Sequence, residues 1–128
     1  SITGLVDNPK AGPVVLGAIQ NKNTKARIAE CDKLGKVLLA SKNLENAQFP
    51  EARTASPLVL SIDSSQKEVF SKELFGPIAL LIKTKNTDGS IALAKSMAVD
   101  HGAISCAAYT TNEQVKEKIK DEMSLAAT

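Results

Sequence analysis

Glu73-Leu74-Phe75-Gly76-Pro77 runs directly into the apolar stretch Ile78-Ala79-Leu80-Leu81-Ile82, and this junction constrains the fold more than any other segment. Gly76 gives the backbone access to angles that other residues avoid. Pro77 fixes its own φ and pushes its predecessor toward extended geometry. The apolar run is short and is bounded by turn residues, Gly76-Pro77 before it and Asn86-Thr87-Asp88-Gly89 after it. That pattern predicts a strand buried on both faces, as in a parallel sheet. Ligands of open α/β sheets gather at strand ends and the loops beside them. Glu73 and Phe75 therefore stand where a site is expected.

The rest of the chain supplies the layers around such a strand. Thr24 to Leu34 has a helical stripe of Ile28, Cys31 and Leu34, and Gly35 is a natural stop. Val37 to Ala40 and Leu58 to Ile62 read as short strands. Asn43 to Ser56 reads as a long polar connection, and Ser1 to Pro13, rich in Gly, Asn and Pro, as loop or turn. Asp63 to Lys72 is mixed and mostly polar. The third strand spans about Ile78 to Lys83. Thr87 or Asp88 is placed to cap a helix that runs to about Asp100 and ends at Gly102. Ile104 to Tyr109 is predicted to form a fourth strand, which makes Ile78 to Tyr109 a candidate βαβ unit. Thr111 and Gln114 have capping-box spacing before a last helix with Val115, Ile119 and Met123 on one face. Helix and strand alternate, which implies an α/β fold with a mainly parallel sheet.

Composition narrows the function. At 128 residues the chain is one domain or a piece of one. Aromatic residues make up only 3% and there is no Trp, which argues against a stacking platform for nucleic-acid bases. Sixteen basic and 14 acidic residues are interspersed, so no basic stripe points to nucleic acid or to an anionic membrane. No apolar stretch approaches the roughly 20 residues that span a bilayer. Cys31 and Cys106 lack metal-type spacing, and two unrelated thiols point to a reducing, cytoplasmic setting. The absence of an initiator Met and of a helix-ending signal at the C-terminus leads us to expect a segment of a longer polypeptide.

Each chemical candidate has a plain structural counterpart. Glu73 is able to accept two hydrogen bonds from the hydroxyls of a ribose, or is a solvated loop residue. Phe75 packs against a flat ring, or plugs the core. Cys106 is a nucleophile only beside a basic group that lowers its pKa, and the simpler reading is a buried, inert thiol; the same holds for Cys31. His101 follows Asp100, which suits general-base chemistry, while a helix-terminal His facing the dipole is the simpler role. One His and no convergent cluster predict no zinc or iron site. No Gly-rich phosphate loop is present.

The order of these pieces resembles the catalytic domain of the aldehyde dehydrogenase superfamily. Gly12-Pro13, a helix closing at Leu34-Gly35, and Val37-Leu38-Leu39 resemble the family's first unit. Pro57-Leu58-Val59-Leu60 is similar to its Pro-Thr-Val/Ile-Leu strand. Glu73-Leu74-Phe75-Gly76-Pro77 resembles its Glu-x-Phe-Gly-Pro signature, the most specific match. Thr87 to Gly102 and Ile104 to Thr111 resemble the helix and strand that follow. Leu16-Gly17-Ala18-Ile19-Gln20, Phe49-Pro50-Glu51-Ala52-Arg53-Thr54-Ala55 and His101-Gly102-Ala103-Ile104-Ser105 look most similar to the branch tied to phenylacetic acid degradation, the PaaN-type proteins.

The resemblance implies a three-layer αβα domain with a mainly parallel central sheet, of which residues 1–128 are one segment. It implies a parent that oxidises an aldehyde to an acid with NAD or NADP as cofactor, by attack of a cysteine thiolate and hydride transfer. By the same resemblance Glu73 binds the nicotinamide-side ribose and Phe75 contacts the nicotinamide ring. The family's nucleophile lies further upstream than this sequence reaches, so neither Cys31 nor Cys106 takes its place and the segment by itself is expected to be inactive. Expected partners are a small-molecule aldehyde and further copies in a homo-oligomer (dimer or tetramer), with no nucleic acid and no membrane. His101 stands where the family usually has an aromatic residue. An alternative of another class is a non-catalytic α/β binding or interaction module.

Overall fold

The computed structural model describes residues 2–8, 10–103 and 105–126, the side chain of Pro13 excepted. The chain divides into two compact units, one up to Ile82 and one from Lys83.

The first unit opens with two short helices, α1 (Ile2–Val6) and α2 (Gly12–Val15), where loop was expected. The turn between them is built by Asn8, whose Oδ1 accepts from the Lys10 and Ala11 amides. A Cβ on Gly12 would lie 2.7 Å from the Val6 carbonyl oxygen, so the close approach of the two helices requires glycine. Sequence punctuation of this density hides helices of one turn, because Asn, Gly and Pro are also helix-end residues.

Helix α3 (Lys22–Cys31) is capped by Asn21, which accepts from the Asn23 amide at 2.8 Å. Its Ile28 and Cys31 are buried, as the stripe predicts. The helix ends at Cys31 with Asp32 at its C-cap, so Gly35 is not the stop that the sequence suggested, and its role is a close approach. A Cβ there would meet Ile62 Cγ2 at 2.5 Å and the Ser61 carbonyl oxygen at 2.8 Å, so the chain slides past a strand at backbone distance.

Strands β1 (Lys36–Leu39), β4 (Leu58–Asp63) and β5 (Ile78–Lys83) form a sheet in the order β1-β4-β5. A second, two-stranded sheet pairs β2 (Asn43–Leu44) with β3 (Thr54–Ala55) antiparallel. The α/β class is therefore as expected, with a local difference. β1 runs antiparallel to β4, in the register Lys36↔Ser61 and Val37↔Leu60, with a bulge before Leu39↔Val59. Residues 43–56 are likewise no plain connection. Thr54 and Ser56 are buried polar residues with partners ten or more residues away: Thr54 Oγ1 donates to the Leu44 carbonyl, the Ser56 carbonyl accepts from Ser41 Oγ, and Ser56 exchanges bonds with the Lys42 backbone. Such pairing lies outside the reach of a local polarity pattern.

Leu58, Leu60 and Ile62 alternate inward along β4, and Leu60 is fully buried. With Ile28, Cys31 and Ala55 the first two form the core, and Ile19, Leu34, Leu74, Ile78 and Leu80 pack on it. β5 differs from its expectation. Its residues alternate between half-buried and exposed, and Leu81 is 59% exposed, so one face is uncovered by the described residues. Between β4 and β5, helix α4 (Lys67–Phe70) buries Val69 and Phe70 within a stretch that reads as polar.

The second unit is an α-helical pair. α5 (Thr87–His101) is capped by Asn86, whose Oδ1 accepts from the Gly89 amide, and ends at Gly102 with φ 77°. α6 (Glu113–Ala126) is capped by Asn112, which accepts from the amides of Gln114 and Val115. In both helices the cap lies next to the residue the sequence suggested, since Asn competes well with Thr and Asp for that position. Lys95 meets Glu122 at 2.6 Å, and Lys118 meets Asp88 at 2.8 Å, which ties α5 to α6. Residues 105–110 are not a strand, and Tyr109 is 98% exposed; Ile104 lies outside the described residues. The expected βαβ unit is therefore not formed among the described residues: β5 and α5 are present, but the strand after α5 is not. A strand needs a neighbour to hydrogen-bond, and no described residue supplies one here.

Candidate functional site

The loop between α4 and β5 carries Glu73 and Phe75, and its shape follows from its own alternation. Leu74 points inward and packs against the core cluster. Its two neighbours are consequently turned out. Glu73 is exposed and Phe75 is 64% exposed, so the ring does not plug the core. Gly76 then takes φ +143°, a conformation open to glycine and strained for any side chain.

Three fixings hold the loop backbone. The Leu58 amide donates to the Pro77 carbonyl at 2.8 Å, which joins the loop to the start of β4. The Ile78 amide donates to the Gly76 carbonyl at 2.8 Å, a tight turn immediately before β5. Arg27 Nη1, from α3, donates to the Phe75 carbonyl at 3.1 Å. Among the described residues, no cation or hydrogen-bond donor takes up the Glu73 carboxylate.

An exposed carboxylate free to accept two hydroxyl protons and an exposed aromatic face, two residues apart on a fixed loop, make a surface suited to a sugar bearing a flat ring. The loop offers no acid–base pair and no nucleophile. Cys31 is 3% exposed in the core, and burial pushes its thiol above the ordinary value, with Arg27 pulling the other way and Glu30 and Asp32 adding to the rise. It is buried, as expected. Cys106, expected to be buried, is exposed, because the segment around it is not packed as a strand. His101 is the last residue of α5, exposed at the helix end. Among the described residues no group of three His, Cys, Asp or Glu side chains is placed to hold a metal ion, and no helix is long and apolar enough to cross a membrane.

Sequence reasoning missed Arg27 and the anchoring part of Leu74. The alternation Glu-Leu-Phe was a readable sign of the second. Nothing local announces the first, since its partner lies 48 residues away. Two of the segments quoted for the branch resemblance also meet in space. The Ile19 amide donates to the Arg53 carbonyl, and the Arg53 guanidinium donates back to the carbonyls of Ile19 and Gln20.

Fold and loop together define an α/β segment that presents an exposed carboxylate and an exposed ring at the entrance of a strand. A family profile described as "Aldehyde dehydrogenase family" matches residues 3–127. The chain belongs to that family. It is similar to the crystal structure of an NAD-dependent aldehyde dehydrogenase from Burkholderia multivorans, with 36% identity and a TM-score of 0.93 over 97% of this chain and 22% of that one. It is also 22% identical, over 120 residues, to a probable methylmalonate-semialdehyde/malonate-semialdehyde dehydrogenase [acylating], mitochondrial, of Drosophila pseudoobscura pseudoobscura, covering 94% of this chain and 22% of that protein. The Anopheles gambiae protein of the same description is 23% identical over 86% of this chain and 22% of its own length. The chain thus spans about a fifth of the length of the relatives it matches.

Proposed function

We propose that residues 1–128 are one segment of the catalytic domain of an NAD(P)-dependent aldehyde dehydrogenase, and that they supply a wall of its nicotinamide site. The observation that carries this reading is the turning-out of Glu73 and Phe75 by the partly buried Leu74, on a loop that Gly76, two backbone hydrogen bonds and the Arg27 side chain fix. The residues fit the cofactor. The Glu73 carboxylate is open to paired ribose hydroxyls, and the open face of Phe75 suits a planar ring. When bound, the cofactor would supply the hydride acceptor for oxidation of the aldehyde. Glu73 holds the ribose and Phe75 limits the ring's orientation, so this chain contributes proximity rather than bond-making. The thiolate that attacks the aldehyde comes, on this reading, from another part of the parent chain.

For the substrate, the branch resemblance favours an aldehyde of aromatic (phenylacetate) catabolism, whereas the named relatives are semialdehyde dehydrogenases. The parent is proposed to be cytoplasmic, from its unpaired thiols, and to work as a dimer or tetramer. A comparison of kcat/KM for phenylacetate-type aldehydes and for malonate semialdehyde decides between the substrates.

The test of the site is Glu73→Gln in the full-length protein. The change keeps the side chain's size and removes its charge. KM for the cofactor should rise and kcat fall by about tenfold, with KM for the aldehyde unchanged. Unchanged cofactor kinetics would overturn the assignment of Glu73.

A further inference from the structure

We propose that Arg27 is a positioning residue for the cofactor wall, acting from α3 on the backbone of the Phe75 loop. The inference rests on the reading of Glu73 and Phe75 given above and extends it to a second element. Thr24, Arg27 and Ile28 lie at helical spacing on one face of α3. That face meets the loop twice. Arg27 Nη1 donates to the Phe75 carbonyl at 3.1 Å. One residue on, the position a Gly76 Cβ would occupy lies 3.0 Å from Thr24 Cγ2 and 3.8 Å from Ile28 Cγ1. The helix therefore stands against one side of the glycine, which is otherwise exposed, and bonds the carbonyl before it.

The other side of the loop is held differently. Leu58 of β4 bonds the Pro77 carbonyl, and Leu74 is packed in the core. Between these two anchors, Phe75 is the exposed residue whose ring faces outward. Its carbonyl is the one loop acceptor among the described bonds that a side chain holds. Removal of the guanidinium frees the peptide that follows Phe75, and Gly76 has the rotational freedom to let it turn. The Phe75 side chain then loses its fixed direction while the core under Leu74 stays packed. Arg27 is half-buried, and its substitution removes no core side chain.

The experiment uses the full-length protein carrying Arg27→Ala, Arg27→Lys, Glu73→Gln or, as a control on the same segment, the exposed Lys33→Ala. Two readouts are needed. The first is amide hydrogen exchange of residues 74–78 in the cofactor-free protein; the second is cofactor affinity by calorimetry, with kcat and KM. Loss of one net hydrogen bond predicts about a 2- to 10-fold faster exchange in Arg27→Ala, confined to the loop, with β4 unchanged. Cofactor binding should weaken by a similar factor while KM for the aldehyde holds. Arg27→Lys, which can still donate to the carbonyl, should recover part of both. Unaltered loop exchange and cofactor affinity in Arg27→Ala, with Glu73→Gln impaired, would overturn the role of Arg27 and leave the site reading in place. Unimpaired cofactor binding in Glu73→Gln and Arg27→Ala alike would overturn the site reading, and the role of Arg27 with it.

Discussion

Single residues in this chain divide by what sits within van der Waals contact of them. Leu60 is fully exposed to protein and not at all to water. Leu60→Ala should lower the unfolding free energy by about 2–5 kcal/mol, measured by urea denaturation. Gly35→Ala should cost about 1–3 kcal/mol, because one of the atoms its Cβ meets is the Ser61 carbonyl oxygen, which no rotamer change moves aside. The two thiols should separate cleanly in an alkylation time course, with the exposed Cys106 labelled first and the buried Cys31 only on unfolding. The raised pKa of Cys31 also sets a sign. The folded thiol keeps its proton to higher pH than the unfolded one. Its contribution to stability is whole below the ordinary thiol value of 9.0 and is lost as pH rises above it. Residue identity alone could not separate the two cysteines, since Cys31 sits on a helical apolar stripe and Cys106 in a strand-like run of small residues; packing against Leu58 and Leu60 is what marks Cys31.

At the scale of elements, helix ends give the sharpest contrasts. Asn112→Ala should destabilise α6 by about 0.5–2 kcal/mol in thermal unfolding, whereas Thr111→Ala should change little, because the Asn112 Oδ1 is the acceptor for the first two turn amides. The pairing of α5 with α6 adds a pH signature. The Lys95 ammonium bonded to Glu122 holds that carboxyl below its ordinary value. The pair's contribution is therefore present above pH 4.5 and is lost as pH falls through the lower, folded value. The exposed surroundings keep the effect small and salt-sensitive. Element existence was well marked in the sequence wherever apolar periodicity was long: α3, β1, β4, β5, α5 and α6 all fall within a few residues of their expected spans. The one-turn helices α1, α2 and α4 and the β2–β3 pair were not, because each is decided by a few hydrogen bonds rather than by a periodic face.

Taken whole, the chain matches its family over nearly all of its length while covering about a fifth of its relatives. Several apolar side chains stand open on the described surface, among them Val14, Leu81, Leu125 and Tyr109. If residues 1–128 are a segment of a longer chain, as proposed above, the segment expressed alone should bind a hydrophobic dye such as ANS far more strongly, per mole, than that longer chain. Equal binding would show that these side chains are uncovered in the parent as well. The sequence by itself determined the α/β class, the core stripe of Ile28 and Cys31, the strand at Leu58 to Ile62 and the Gly76-Pro77 entry to β5, because these depend on local period and on residues with special backbone freedom. The tertiary structure decided the rest. It buried Thr54 and Ser56, left one face of β5 open, and brought Arg27 to the carbonyl of Phe75. Those outcomes depend on partners distant in the chain, and a hydrogen bond across 48 residues leaves no trace in local periodicity.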